Sequence, residues 1–199
     1  MICILGDKGG VPTGVPYVPQ QRHEPESSNY GYFDLKKNLG LIDQIPELRD
    51  RPEMILLVKE LNSSSGAFRS IGCDAWDLPD QPRPGEWISK GYVQVAYEAL
   101  QLNNREEWTS LFNAINSFDP NLTDSREIGL DLWLKAVSFR GDEQIRMSAL
   151  IELFGWGRSK SQSRVNLRRA ATALQEFFAG NGIHRLSKPG RRISDLLVP

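Results

Sequence analysis

The segment SQSRVNLRRAATALQEFFA, residues 161–179, spaces its apolar side chains as an α-helix requires. Leu167, Ala170, Ala171, Leu174, Phe177 and Phe178 recur every three or four positions, which lines them up as one stripe on a 3.6-residue turn. Gly180 and Gly182 end the pattern. With the stripe facing a core, Arg164, Arg168, Thr172 and Gln175 fall on the far side, one turn apart, while Ser161, Ser163 and Asn166 crowd the first turn. A helix N-terminus offers free N–H groups and a partial positive charge. Hydroxyls, an amide and arginines added there make a surface suited to phosphate. If such a helix enters a major groove, arginine can read guanine and asparagine can read adenine.

Charge is distributed to match. From Gly155 to Pro199 the nine basic residues Arg158, Lys160, Arg164, Arg168, Arg169, Arg185, Lys188, Arg191 and Arg192 face only Glu176 and Asp195, a net +7. The remaining 15 basic and 23 acidic residues give −8, so the overall −1 conceals a basic end and an acidic remainder. A split of this kind points to a polyanionic partner for the basic end, or to the two halves docking on each other.

Upstream, helical spacing predicts three more helices. Arg105–Phe118 carries Trp108, Leu111, Phe112 and Ile115, with Asn103 or Asn104 as cap and Glu106 and Glu107 suited to the first turn. Residues 125–139 carry Ile128, Leu132, Leu134 and Ala136 or Val137, closed by Gly141. Residues 142–154, capped by Asp142, carry Ile145, Ala149, Leu150 and Leu153, and Gly155 and Gly157 break them. After the basic helix, Ile183–Ser187, a Lys188-Pro189-Gly190-Arg191 turn and Arg192–Val198 read as a basic-tipped hairpin, with proline and glycine at the centre of a type II turn.

The first half reads differently. Residues 1–28 hold Pro12, Pro16, Pro19 and Pro25 and no period, and read as an extended, poorly ordered arm. Leu41–Leu48 reads as a short helix interrupted by Pro46. Met54–Leu61 reads as a β run, Asn62–Gly66 as a turn and Ala67–Cys73 as the returning strand. Leu78–Gly85 is a proline-rich loop, and Trp87–Ala96 adds a third strand. The expectation is an α+β fold: a small antiparallel N-terminal sheet in an acidic β-rich region, 29–102, then a helical basic region, 103–199.

Three helices, the third basic, followed by a basic hairpin resemble the winged-helix form of the helix-turn-helix DNA-binding superfamily over Ser125–Val198. The resemblance rests on the order of elements and on charge. It implies that the third helix enters the major groove and the wing lies along the backbone. Arg164, Asn166 and Arg168 would then sit near bases, and Arg158, Lys160, Lys188, Arg191 and Arg192 near phosphates, with Ser161 and Arg169 completing the surface. The implied role is a DNA-binding regulator or accessory factor, not an enzyme, with the first region serving for oligomerisation or sensing. The rival is an assembly subunit whose basic helix meets an acidic protein surface, its own N-terminal half included.

Other chemistry has weaker support. Asp74, Asp77, Asp80 and Glu86 with Lys90 admit a metal-dependent nuclease, but across a proline-rich loop they match no ligand spacing. The Met1–Gly14 run has Pro12-Thr13-Gly14 where a phosphate-binding loop needs Gly-Lys-Ser/Thr. His23, His184, Cys3 and Cys73 lack zinc-ligand spacing, and no serine-hydrolase elbow occurs. No metal or cofactor is expected. Apolar runs of five residues are too short for a membrane helix of about 20, and two cysteines make no disulfide framework, so a cytoplasmic protein with reduced thiols is expected.

Overall fold

Pro52 at the first helical position, Glu53 in the first turn and Lys59 in the last wind Pro52–Leu61 into helix α1. Met54, Leu57, Val58 and Leu61 stand at i, i+3, i+4 and i+7 and are all buried. The β run expected at 54–61 is therefore corrected to a helix. Its branched residues suit a strand locally, but the proline start and the 3.6-residue period match the packing. Before it, Leu39–Gln44 and Pro46–Leu48 form two 3-10 turns divided at Pro46, much as the sequence predicts. This computed structural model describes residues 5–7, 12–16, 30–63, 67–79, 84–97, 105–118, 127–141 and 145–180.

Within the stretch expected as a poorly ordered arm, Leu5–Asp7 and Thr13–Val15 are instead the short strands β1 and β2, held by backbone pairing to a later strand. After α1 come β3 (Phe68–Pro79), β4 (Trp87–Tyr97), helix α2 (Arg105–Phe118), β5 (Ile128–Phe139), β6 (Ile145–Gly157) and helix α3 (Lys160–Gly180). The strands form one six-stranded sheet in the order β1-β5-β6-β4-β3, with β2 also on β5. β3–β4, β4–β6 and β5–β6 pair antiparallel, and β1 and β2 join β5 in parallel. Strands from both sides of the boundary expected at 102/103 thus share a sheet. It is neither small nor confined to the N-terminal half.

The helices expected at 125–139 and 142–154 are the strands β5 and β6. Along β5, Ile128, Leu130, Leu132 and Leu134 are buried and alternate with Asp131, Trp133 and Lys135. Along β6, Ala149, Ile151, Leu153 and Gly155 are buried on the same face. That is period two, the mark of a strand with one face on a core. The two helices preceding the basic one in the winged-helix resemblance are therefore absent from these described residues, and the hairpin expected at 183–198 lies outside them.

α1, α2 and α3 cover one face of the sheet. Leu167, Ala170, Ala171, Leu174, Phe177 and Phe178 of α3 are all buried there, so the stripe read from the sequence is the packed one. Phe68 ties the layers together, with ring centroids 5.4 Å from Tyr97, 6.1 Å from Trp108 and 5.4 Å from Phe178. Burying each Leu or Phe contributes roughly 1.5–3 kcal/mol. On the other face a smaller cluster joins Val15, Ile71, Ala96 and Val137. Among the described residues no helix is long and apolar enough to cross a membrane.

Candidate nucleic-acid interface

Helix α3 meets β6 at Gly155-Trp156-Gly157, and the glycines are what let it come so close. A β-carbon on Gly155 would overlap the Leu167 nitrogen and the Ser163 carbonyl oxygen and lie 2.8 Å from the Asn166 carbonyl carbon. One on Gly157 would lie 2.7 Å from the Ser163 nitrogen. The buried Asn166 side chain fastens the junction, donating to the Trp156 carbonyl oxygen at 2.6 Å. Asn166, expected near bases, is thus turned inward. Trp156 lies on the opposite face of β6 from α3, stacked on Phe154 at 5.4 Å.

The first turn of α3 is pinned to the sheet through Asp77 on β3. Asp77 Oδ2 accepts from Arg164 Nε at 3.0 Å and Nη2 at 2.7 Å, pairs with Arg51 Nη2 at 2.9 Å and lies 3.5 Å from Lys160 Nζ. Its Oδ1 accepts from Ser89 Oγ at 2.7 Å, and Ser89 Oγ shares a 2.8 Å hydrogen bond with Ser163 Oγ. The side chains of Asp77 and Arg51 are each only 6% exposed. Burial alone would raise the Asp77 carboxyl, but hydrogen bonds from Arg164, Arg51 and Ser89 and the charge of Arg51 outweigh it and hold it well below the usual carboxylate range.

Beyond that hub the helix carries its charge outward. Arg168 reaches Glu53 of α1 only at 3.9 Å and is 62% exposed. Arg169 pairs with Glu127 at 2.8 Å, with both side chains about half exposed. Arg158, Ser159, Lys160 and Ser161 form an exposed shoulder before and in the first turn. Ser159 caps the helix, its Oγ accepting from the Gln162 amide at 3.2 Å. Of the residues expected at the interface, Arg164 and Arg168 lean toward β3 and α1 through Asp77 and Glu53, Arg169 leans the other way to Glu127 before β5, and Arg158, Lys160 and Ser161 are exposed at the start of the helix; Lys188, Arg191 and Arg192 lie outside the described residues. Arg51, Glu53, Ser89 and Glu127 take part without having been singled out in the sequence. Each is far along the chain from α3, and the packing of α1 and the sheet against that helix brings them together.

The carboxylates considered for a metal do not converge. Asp74 and Asp77 are three positions apart on one strand, hence on opposite faces, and Lys90 lies over the Phe154 ring at 5.1 Å. Asp80 lies outside the described residues. Among the described residues no group of three or more His, Cys, Asp and Glu is placed to hold a metal ion. A cavity of about 30 Å³ is lined by Tyr32, Leu35, Ile45, Glu47, Ser70 and Cys73, among others. That is room for a water or two, far below the roughly 300–1,000 Å³ of a small-molecule pocket.

Burial pushes Glu47 up at that cavity, with the charge of Asp74 adding to it. Burial likewise raises Asp74, and it pushes the Cys73 thiol up to about 12. A carboxyl with a raised pKa binds more protons folded than unfolded, so its contribution to stability grows as pH falls from neutrality toward its ordinary value near 4. Glu47→Gln is therefore expected to raise the urea midpoint at pH 7, and its lead over the native protein should shrink as pH falls toward the ordinary carboxyl value near 4. A variant midpoint no higher than the native one at pH 7 would contradict this.

No protein-family model, curated protein or solved structure matches the chain, so the reading of its function rests on its own residues.

Proposed function

We propose that the chain is a nucleic-acid-binding protein of regulatory or accessory type, gripping duplex DNA by its phosphates along the solvent side of α3. One observation carries the reading. After the helix has satisfied the sheet through Asp77, Lys160, Arg168 and Arg169 are held only by long or half-exposed contacts, and Arg158 is exposed just before the first turn. Exposed ion pairs contribute only about 0–1 kcal/mol, so exchanging a surface carboxylate for a phosphate costs these side chains little. Phosphate contacts position a protein on DNA and carry no sequence information. With Asn166 engaged by Trp156, the interface is one of backbone contact and not of base reading.

A second reading has its own support. Arg164, Arg168 and Arg169 each have a carboxylate partner in the chain, Asp77, Glu53 and Glu127, which is what an assembly subunit whose basic helix meets acidic protein surface would show.

Fluorescence anisotropy of a labelled duplex over a salt series tests the proposal. Four phosphate contacts predict that log K falls against log salt with a slope of about −3.6, and that unrelated duplexes compete equally. No binding at about 50 mM salt would end the DNA reading in favour of the protein one.

A further inference from the structure

Three cations converge on a single oxygen, and both arginines among them keep a guanidinium nitrogen that Asp77 does not take. Arg51 stands at the N-cap of α1 and Lys160 begins α3. With Arg164 they surround Asp77 Oδ2 at 2.7–3.5 Å. One carboxylate against three cations leaves +2. Widening the circle to Arg168, Glu53 and Asp50 leaves +1, and counting Asp74, which also feels the charge of Arg51, brings it to zero, so the surplus is confined to the inner cluster. The floor of the cluster is buried, Arg51 and Asp77 being 6% exposed, while its rim is open, with Lys160 51% and Arg164 40% exposed.

Within that floor, Arg51 Nη1 is buried and has no hydrogen-bond partner. A buried guanidinium N–H without an acceptor is costly and uncommon. At the rim, Arg164 uses Nε and Nη2 on Asp77, which leaves Nη1. The Lys160 ammonium reaches Asp77 at 3.5 Å, longer than a good charge-assisted hydrogen bond, and lies 5.9 Å from the centre of the Trp87 ring.

We propose that this cluster is a subsite for one phosphate monoester group, that of a nucleic-acid strand terminus or of free phosphate. The group enters between Lys160 and Arg164 and takes donors from Lys160 Nζ and Arg164 Nη1. Its inner oxygen satisfies Arg51 Nη1 after a small movement of the rim side chains. The positive end of a 21-residue helix adds to the attraction. Asp77 opposes a second anion, and the surplus of cations outweighs it. A monoester dianion matches the inner charge of +2 better than the single charge of a backbone diester. The subsite deepens the nucleic-acid reading and rests on it for strand ends alone.

The test uses the full chain and two otherwise identical duplexes, one with 5′-phosphates and one with 5′-hydroxyls, at fixed ionic strength. The phosphorylated duplex should bind about tenfold more tightly, the effect of one charge-assisted hydrogen bond. Inorganic phosphate, replacing chloride, should erase that preference and raise the melting temperature saturably. Lys160→Ala should abolish the preference, whereas Arg168→Ala should weaken both duplexes alike and keep it. Arg51→Lys, which retains the charge without the spare N–H, should reduce the preference in a protein whose urea transition shows it is folded. Equal binding of the two duplexes together with no saturable effect of phosphate overturns the subsite while leaving DNA binding intact. Saturable stabilisation by phosphate, lost in Lys160→Ala, without any DNA binding sustains the subsite and removes the nucleic-acid reading.

Discussion

Asp77→Asn is expected to destabilise the protein by about 3–5 kcal/mol, the loss that follows when one partner of a buried ion pair is removed. The variant leaves Arg51 buried without its carboxylate, and it releases the two-pronged grip of Arg164 that holds the first turn of α3 on the sheet. Urea unfolding should show a lower midpoint at unchanged slope, because the surface exposed on unfolding stays the same. The sign of the pH dependence is fixed by the depressed carboxyl. Such a group contributes its full stability above its unfolded pKa near 3.9 and loses it as pH falls toward the folded value. The gap between native protein and variant should therefore be full at pH 6 and shrink below about pH 4. Replacing Arg51 by Met and Asp77 by Leu together should recover much of the loss, since apolar residues can substitute for a buried pair at little cost. A single variant as stable as the native protein would show that Asp77 does not hold the helix.

Gly155→Ala is the second large effect. The added methyl meets backbone on three sides, the Leu167 nitrogen, the Ser163 carbonyl oxygen and the Asn166 carbonyl carbon. Backbone inside a helix cannot swing aside as a side chain can, so α3 must lift from β6. Overpacking of a core costs about 1–3 kcal/mol and occasionally more, and lifting the helix would also loosen the Asn166–Trp156 hydrogen bond. A loss of at least about 3 kcal/mol is expected, which for a chain of this size lowers the melting temperature by roughly 6–12 °C. Gly14→Ala, where an added methyl meets nothing within 4 Å, should stay within about 0.5 kcal/mol and serves as the control.

Long amphipathic elements were legible in the sequence. The stripe from Leu167 to Phe178, the helix Arg105–Phe118 and the strand from Trp87 all lie where their periods put them. The misread segments satisfied two periods at once. Ile128 and Leu132 stand four apart, as on a helix, yet Ile128, Leu130, Leu132 and Leu134 alternate without a break, and pairing with β6 settles the choice. Met54–Val58 looked like a strand because it is continuously apolar, although Pro52 and Glu53 announced a helix start.

The site was half legible for a similar reason. Lys160, Arg164, Arg168 and Arg169 stand out as a basic helical face. Their counter-charges do not, because Asp77 lies 87 positions from Arg164 and a local pattern has no reach over that span. In the sequence Asp77 is one of several acids in and beside a proline-rich stretch. Its strand and its facing arginines give it a structural part instead.

The measurement closest to the central claim is the salt dependence of duplex binding by an Arg168→Ala, Arg169→Ala variant, read beside its urea stability. Removing two outward cations should leave stability within about 1 kcal/mol and make the salt slope shallower by roughly 2. A variant that binds DNA with the native slope, or a native protein that does not bind at low salt, would contradict the claim that α3 turns these arginines toward phosphate.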